Sequence, residues 1–154
     1  MRTHAAIKSM VAASGSSWAA TPAGKAVPYL EARINPKATT PFTVEEFDGA
    51  MKSVGAIHRA DERGLSLFLA RSFNDRRAPK RLHLVVTDGS TLEQVLAVVQ
   101  ACRTAGFTTV HFFGCLLPGC GIAAGATKDQ KRHEGHEYKV SELYDLLCLA
   151  STYC

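Results

Sequence analysis

The sequence predicts an α/β (α+β) domain, in which two βαβ-type units form one small mixed sheet with helices packed on it. Three observations carry this prediction. Residues 82–87 (LHLVVT) and 107–113 (FTTVHFF) are rich in β-branched, aromatic and other apolar residues, which favours strands. Between them, residues 90–106 carry an apolar stripe at helical spacing. A strand, a helix and a strand joined by tight turns are typical of a parallel crossover.

The helix inside this crossover has recognisable ends. Ser90 and Glu93 match the capping box, in which each side chain bonds to the other residue's backbone amide. Gly106 is the residue type that most often ends a helix in the left-handed conformation. Asp88 and Gly89 form the turn before the helix, and Asp-Gly is common in turns for conformational reasons alone.

The first βαβ unit is predicted from weaker patterns. Residues 26–34 (AVPYLEARI) alternate in part and are predicted as a strand. Thr43 and Glu46 match a second capping box, so we expect a helix over residues 44–57. Residues 65–70 (LSLFLA) also alternate in part and are predicted as a half-buried strand.

The domain organisation follows from these elements. Residues 1–25 contain no acidic residue and are predicted to be a flexible arm or a transit peptide. Residues 26–113 form the βαβ–βαβ core. Residues 114–154 are predicted to be an irregular segment containing Gly, Cys and His, followed by a short final helix over residues 141–151, capped by Ser141.

Composition limits the class of protein. The 154 residues are 46% hydrophobic, which suits one domain with a real core. No run of apolar residues approaches the roughly 18 that a transmembrane helix needs, so we expect no membrane span. The five cysteines are odd in number and confined to the C-terminal third, which favours an intracellular reducing compartment. The acid-free N-terminal residues keep a mitochondrial location open.

Residues 82–113 resemble the ExbD/TolR family. In that family a strand ends in Asp, the helix that follows has Val-Val near its centre, and Ala-Gly precedes the last strand. The corresponding residues here are Asp88, Val98, Val99, Ala105 and Gly106. The resemblance implies a periplasmic-type interaction domain. The family's N-terminal transmembrane helix and its functional aspartate have no counterpart in this sequence, so the resemblance implies no proton-coupled activity.

Residues 71–81 concentrate positive charge on a predicted loop, with Asp75 as the single acid. Clustered guanidinium groups suit carboxylates and phosphates. We therefore predict that this loop, together with the segment 114–140, contacts a protein partner or a larger complex, with an anionic partner such as RNA as the alternative. The same charges could serve only to keep a sheet edge soluble. The predicted contact residues are Arg71, Arg76, Arg77, Lys80 and Arg81.

A second cluster has the residue types that zinc prefers. Cys115, Cys120, His133 and His136 have the spacing C-x4-C-x12-H-x2-H. Zinc binding is one interpretation of this cluster, and a disulfide or reactive pair of the two cysteines is another. A glycine-rich loop that binds no metal is the third, and we expect no cofactor as the primary outcome.

Catalysis is the remaining alternative. His83 and His111 are predicted on the two parallel strands and would form an acid–base site if they shared an open face near Asp88. Histidines on strands are, however, more often packed and hydrogen-bonded. The sequence thus favours a non-enzymatic macromolecule-binding domain, an accessory or scaffold subunit. A zinc-binding or thiol-active protein and an enzyme centred on Asp88 are the alternatives.

Overall fold

The structure, a computed structural model, describes residues 27–116, 122–124 and 136–153. These residues form a mixed sheet with three helices packed on it, so the predicted fold class is confirmed. In chain order the elements are β1 (Tyr29–Ile34), β2 (Phe42–Phe47), β3 (His58–Ala60), α1 (Glu62–Asn74), β4 (Leu82–Val85), α2 (Leu92–Ala105), β5 (Thr109–Leu116), β6 (Ile122–Ala124), β7 (His136–Lys139) and α3 (Val140–Tyr153).

Two parallel crossovers organise the sheet and share β4. The strand order is β3-β2-β1-β4-β5, and β6 and β7 pair with successive parts of β5. β1, β4 and β5 run parallel, whereas β2 and β3 are antiparallel to their neighbours. The chain passes from β1 to β4 through β2, β3 and α1, and from β4 to β5 through α2.

The core lies between the helices and one face of the sheet. Along β1, Leu30, Ala32 and Ile34 are buried in it, while Glu31 and Arg33 alternate to the opposite face. Each helix contributes an apolar stripe to the same core, and α2 packs between α1 and α3. None of the helices in the described ranges covers the opposite face, which we call the helix-free face.

The predicted helix over residues 44–57 is wrong, because β2 and a turn leading to β3 occupy this stretch. In β2, Phe42 and Val44 are buried with a less buried residue between them, which is the period of a strand. Met51 and Val54, which suggested an apolar helical stripe, are exposed. The apolar residues at helical spacing therefore do not pack together against the core.

The predicted strand over residues 65–70 is also wrong, because these residues belong to α1. In a strand Leu65, Leu67 and Leu69 would share one face, but Leu67 is exposed and the other two are fully buried. A spacing of four between buried residues is that of a helix. Asp61, which accepts a hydrogen bond from the backbone N–H of Gly64 at 2.8 Å, caps it.

The helix over residues 90–106 is confirmed as α2, but its capping box lies one residue later than predicted. Thr91 Oγ1 accepts from Gln94 N at 3.1 Å, and Thr91 N donates to Gln94 Oε1 at 3.0 Å. Ser90 is buried, and its hydroxyl donates to a carbonyl of the preceding turn. Gly106 is left-handed, with φ of 113°, as predicted.

The loop predicted from residue 114 to residue 140 is wrong in part. β5 continues to Leu116, and β6 and β7 both pair with it. β6 has only three residues, and the four residues of β7 are mostly charged or polar, so neither strand shows an alternating apolar pattern in the sequence. The final helix predicted over residues 141–151 is confirmed, but it begins at Val140, so Ser141 lies in its first turn and does not cap it.

Candidate functional site

The outer face of α1 carries exposed arginines. Because Leu65 and Leu69 point into the core, the residues on the other side of the helix point away from it. Arg63, Leu67 and Arg71 follow one another at intervals of four residues on that side, and all three are exposed. The burial of one face of α1 thus forces the other face into solvent.

The loop after α1 extends this charge. Arg76 and Arg77 are both exposed, and the neighbouring Asp75 carboxylate accepts from the backbone N–H of Arg77 at 2.9 Å. Within the described ranges, no ion pair joins these arginines or those of α1 to a carboxylate. We call the four residues the arginine surface: Arg63, Arg71, Arg76 and Arg77.

The structure divides the five predicted contact residues. Arg71, Arg76 and Arg77 belong to the arginine surface, whereas the Lys80 side chain caps the C-terminal end of α1. The Lys80 ammonium donates to the carbonyls of Ser72, Phe73 and Asp75, at 3.2, 2.5 and 2.5 Å. These are carbonyls at the negative end of the helix dipole, where a cation is stabilising. Lys80 therefore has a structural role.

Replacing Lys80 with methionine is expected to lower the free energy of unfolding by about 1–2 kcal/mol, because the carbonyls at the end of α1 lose a charged donor. Urea unfolding measures the change. Lys37→Met, at an exposed lysine outside the helices, is the matched control and should change stability by less than about 0.5 kcal/mol. Equal effects of the two substitutions would contradict the capping role.

Arg63 was not among the contact residues predicted from the sequence. Its position on the arginine surface depends on α1 being a helix, whereas a strand was predicted over residues 65–70 and no element was predicted at residue 63. The signal that could have found it is Asp61 followed by Leu65 and Leu69, an N-cap before buried residues spaced by four.

The helix-free face carries a row of ionisable residues across five strands. Strand pairing aligns Glu45 with Glu31, Glu31 with His83, His83 with His111, and His111 with Glu137. At the β1–β3 side the face opens into a groove of about 330 Å³. The row brings together His83 and His111, two of the three predicted acid–base candidates.

Arg81 binds both histidines. Its Nε donates to His83 Nε2 at 3.2 Å, and its Nη2 is 3.0 Å from His111 Nε2. A guanidinium can only donate, so both Nε2 atoms must accept and both rings must be neutral, with the proton on Nδ1. Tyr29 stacks on the His83 ring at 3.9 Å between centroids. His83 is 7% exposed and His111 is 4% exposed, so both rings are buried, while the Arg81 side of the contact is half-buried.

The electrostatics of this cluster keep His111 uncharged. Burial, followed by the nearby Arg81 guanidinium, lowers the pKa of His111 to about 4. Burial also lowers the pKa of Arg81, although Glu137 and Tyr29 oppose that change. The pKa of Tyr29 is raised by burial and by the carboxylate of Glu31. At neutral pH, His111 Nε2 could take up a proton only by giving up the hydrogen bond from Arg81.

Asp88, the third acid–base candidate, lies beyond the end of β4. It is exposed, in the turn where the Ser90 hydroxyl donates to the carbonyl of Thr87 at 2.8 Å. Strand pairing instead aligns two other carboxylates with the histidine pair, Glu31 with His83 and Glu137 with His111, and Glu137 Oε2 lies 3.7 Å from the Nε2 atom of His111. The structure therefore bonds both histidines to Arg81, places Glu137 beside His111, and places Asp88 in the turn that leads to α2.

The predicted zinc ligands lie only partly within the described residues. Cys115 is in β5 and His136 begins β7, while Cys120 and His133 lie outside the described ranges. β7 pairs His136 with Phe112, three residues before Cys115 and about 10 Å away along the strand. No group of three or more metal-binding side chains occurs among the residues that are described. The zinc site, and the alternative cysteine pair, stay predictions.

Comparison with known proteins gives no family for this chain. No protein-family model matches it, and no curated protein matches its sequence. The resemblance of residues 82–113 to the ExbD/TolR family therefore stays a prediction.

The described helices do not have the length that a bilayer requires. They contain 13, 14 and 14 residues, against about 20 for a span, and none is long and apolar enough to cross a membrane. This finding covers the described part of the chain.

Proposed function

We propose that this chain is a non-enzymatic macromolecule-binding domain, an accessory or scaffold subunit of a larger assembly. Its contact surface is the arginine surface on α1 and the loop that follows. The observation that carries the proposal is four exposed arginines, none in an ion pair with a described carboxylate, along and just beyond a helix about 20 Å long. Exposed guanidinium groups that form no ion pair within the described residues are available to bind carboxylates or phosphates of a partner.

The state of the histidine pair supports binding over catalysis. A general base needs a free lone pair near the working pH, and the Nε2 atoms of His83 and His111 both accept from Arg81. The low pKa of His111 makes it a weak base at neutral pH. The cluster has the features of a buried polar contact that holds β4 and β5 together.

Replacing three arginines of the arginine surface tests the proposal. The triple variant Arg71→Gln, Arg76→Gln, Arg77→Gln is expected to bind anionic probes at least about 10-fold more weakly, since each lost charge contact is worth about 0.5–1 kcal/mol. The probes are a labelled poly-glutamate peptide and an oligoribonucleotide of about 20 nucleotides, followed by fluorescence anisotropy. The affinity of the unmodified protein should fall as salt is raised from about 50 to 200 mM.

The control removes the same charge elsewhere. Lys37→Gln, Lys52→Gln and Lys139→Gln change three exposed lysines outside the arginine surface. This triple variant should retain most of the binding, because contact charges act locally at these salt concentrations. If the two triple variants bind both probes equally, only net charge matters and the arginine surface is not the contact site.

A further inference from the structure

Resting on the proposed function, we infer that the partner is a protein, and that it contacts α1 with an acidic helical segment. That segment carries an acidic residue, an apolar residue and a second acidic residue at successive intervals of four. The acidic side chains pair with Arg63 and Arg71, and the apolar side chain covers Leu67. This contact requires no rearrangement of α1.

The geometry of α1 sets this pattern. Four residues rise about 6 Å along a helix, so Arg63 and Arg71 lie about 12 Å apart along the axis with Leu67 midway. Four residues also turn the chain by 40° beyond a full turn, so the three side chains stay on one face. Leu67 is 53% exposed and lies at the centre of the face opposite the buried Leu65 and Leu69. A second helix running alongside has the same rise and can match all three positions.

The apolar centre of the surface favours a protein over a nucleic acid. A phosphate backbone gains nothing from a leucine, whereas an apolar side chain gains by removing it from water. An isolated exposed leucine is common and indicates nothing by itself. Here it lies between two arginines that have no described ion-pair partner, the arrangement of an apolar anchor within a polar rim.

The acidic residues near the ends of α1 also favour a protein partner over a nucleic acid. Asp61 and Asp75 lie at the two ends of the helix, and Glu62 is exposed in its first turn. The charge of Asp61 and Glu62 opposes a long polyanion that runs past the N-terminal end of the helix, whereas Arg76 and Arg77 lie beyond the other end. A short acidic segment that touches only the central face avoids these acidic residues. Charge complementarity therefore fits a local protein contact.

The experiment compares two peptides and one nucleic acid. The first peptide is helical, with Glu, Leu and Glu at positions i, i+4 and i+8 in a background of alanine and glutamine. The second has the same composition in scrambled order, and the third probe is the oligoribonucleotide used above. Fluorescence anisotropy on the full chain is expected to show tighter binding of the patterned peptide than of the scrambled one.

The variants separate the apolar contact from the charges. Leu67→Ala should weaken binding of the patterned peptide about 5-fold and leave the oligoribonucleotide unchanged, because only the apolar contact is shortened. Alanine is the best helix former, so α1 should persist. The matched control is Leu149→Ala, at a leucine of α3 that is 41% exposed, and it should change neither affinity.

Each outcome decides between the two proposals. If Leu67→Ala behaves like Leu149→Ala, or the patterned and scrambled peptides bind alike, the inferred partner is wrong. The inferred protein partner is also wrong if the oligoribonucleotide binds more tightly than the patterned peptide at the same salt concentration. That result would favour a nucleic acid as the partner. In these cases the macromolecule-binding function survives if the triple arginine variant still weakens binding of the anionic probes. If that variant is inert as well, the proposed function fails too.

Discussion

Replacing Arg81 with methionine is expected to lower the free energy of unfolding by about 2–4 kcal/mol. Arg81 donates to the Nε2 atoms of His83 and His111, and both rings are buried on the helix-free face. Each acceptor that loses its donor while buried costs about 1–3 kcal/mol. Methionine preserves most of the apolar stem, so the loss reports on the guanidinium. Urea unfolding at about pH 7.5, where His111 is neutral, measures it.

Arg33 provides the matched control on the same face. Its side chain is 51% exposed, and its Nη2 lies 3.0 Å from Glu31 Oε1. An exposed ion pair of this kind is worth about 0–1 kcal/mol, so Arg33→Met should have a small effect. A loss at Arg81 no larger than the loss at Arg33 would mean that the histidines do not depend on the guanidinium.

The difference between these two arginines could not be read from the sequence. Arg81 was predicted to lie on a contact loop with Arg76 and Arg77, because the three are close in the chain. Whether a guanidinium turns outward or inward depends on where the loop ends and β4 begins. Arg81 directly precedes β4, beside the row formed by His83 and His111, and so it enters that row.

The stretch from β4 to β5 was predictable because its signals agree with one another. The strands β4 and β5, the helix α2 and its left-handed Gly106 follow from alternation, apolar spacing and turn chemistry over a short stretch. The predicted strand over residues 26–34 contains β1, but the elements between β1 and β4 were not predicted, because two local patterns pointed away from the fold. The capping-box match at Thr43 lies in β2, where pairing with β1 and burial of Val44 outweigh it.

The candidate site was predictable only in its composition. The cluster of arginines and the two strand histidines were visible in the sequence. The row that joins His111 to Glu137 was not, because β7 was predicted to be loop. Arg63 needed α1 to be a helix. In each case the missing information was which elements pair or pack, and that depends on contacts far apart in the chain.

Lowering the pH from about 7 to 4 is expected to remove up to about 3 kcal/mol of stability through His111 alone. Its pKa is about 4 in the folded protein and 6.5 when unperturbed, and each unit of difference is worth about 1.4 kcal/mol. Because the folded pKa is the lower one, the unfolded chain takes up the proton first. The stabilisation is complete above about pH 6.5 and is lost as the pH falls toward 4.

Urea unfolding between about pH 7.5 and 4.5 tests this in the unmodified protein and in His111→Gln, where no imidazole titrates at that position. The unmodified protein should lose about 2–3 kcal/mol more than the variant across this range. His58→Gln, on β3, is the control and should leave the pH dependence of the unmodified protein largely intact. Equal slopes for the unmodified protein and His111→Gln would exclude His111 as the origin of the acid sensitivity.

The Arg81→Met variant separates the two causes of the low pKa. Burial is the larger cause and the Arg81 guanidinium is the second. Removing the guanidinium should therefore raise the pKa of His111 in the folded protein and make the fall in stability with acid shallower. The fall should not vanish, because the ring stays buried. The same arginine thus stabilises the protein at neutral pH, by donating to a neutral histidine, and increases its sensitivity to acid, by opposing the charge that the histidine would gain.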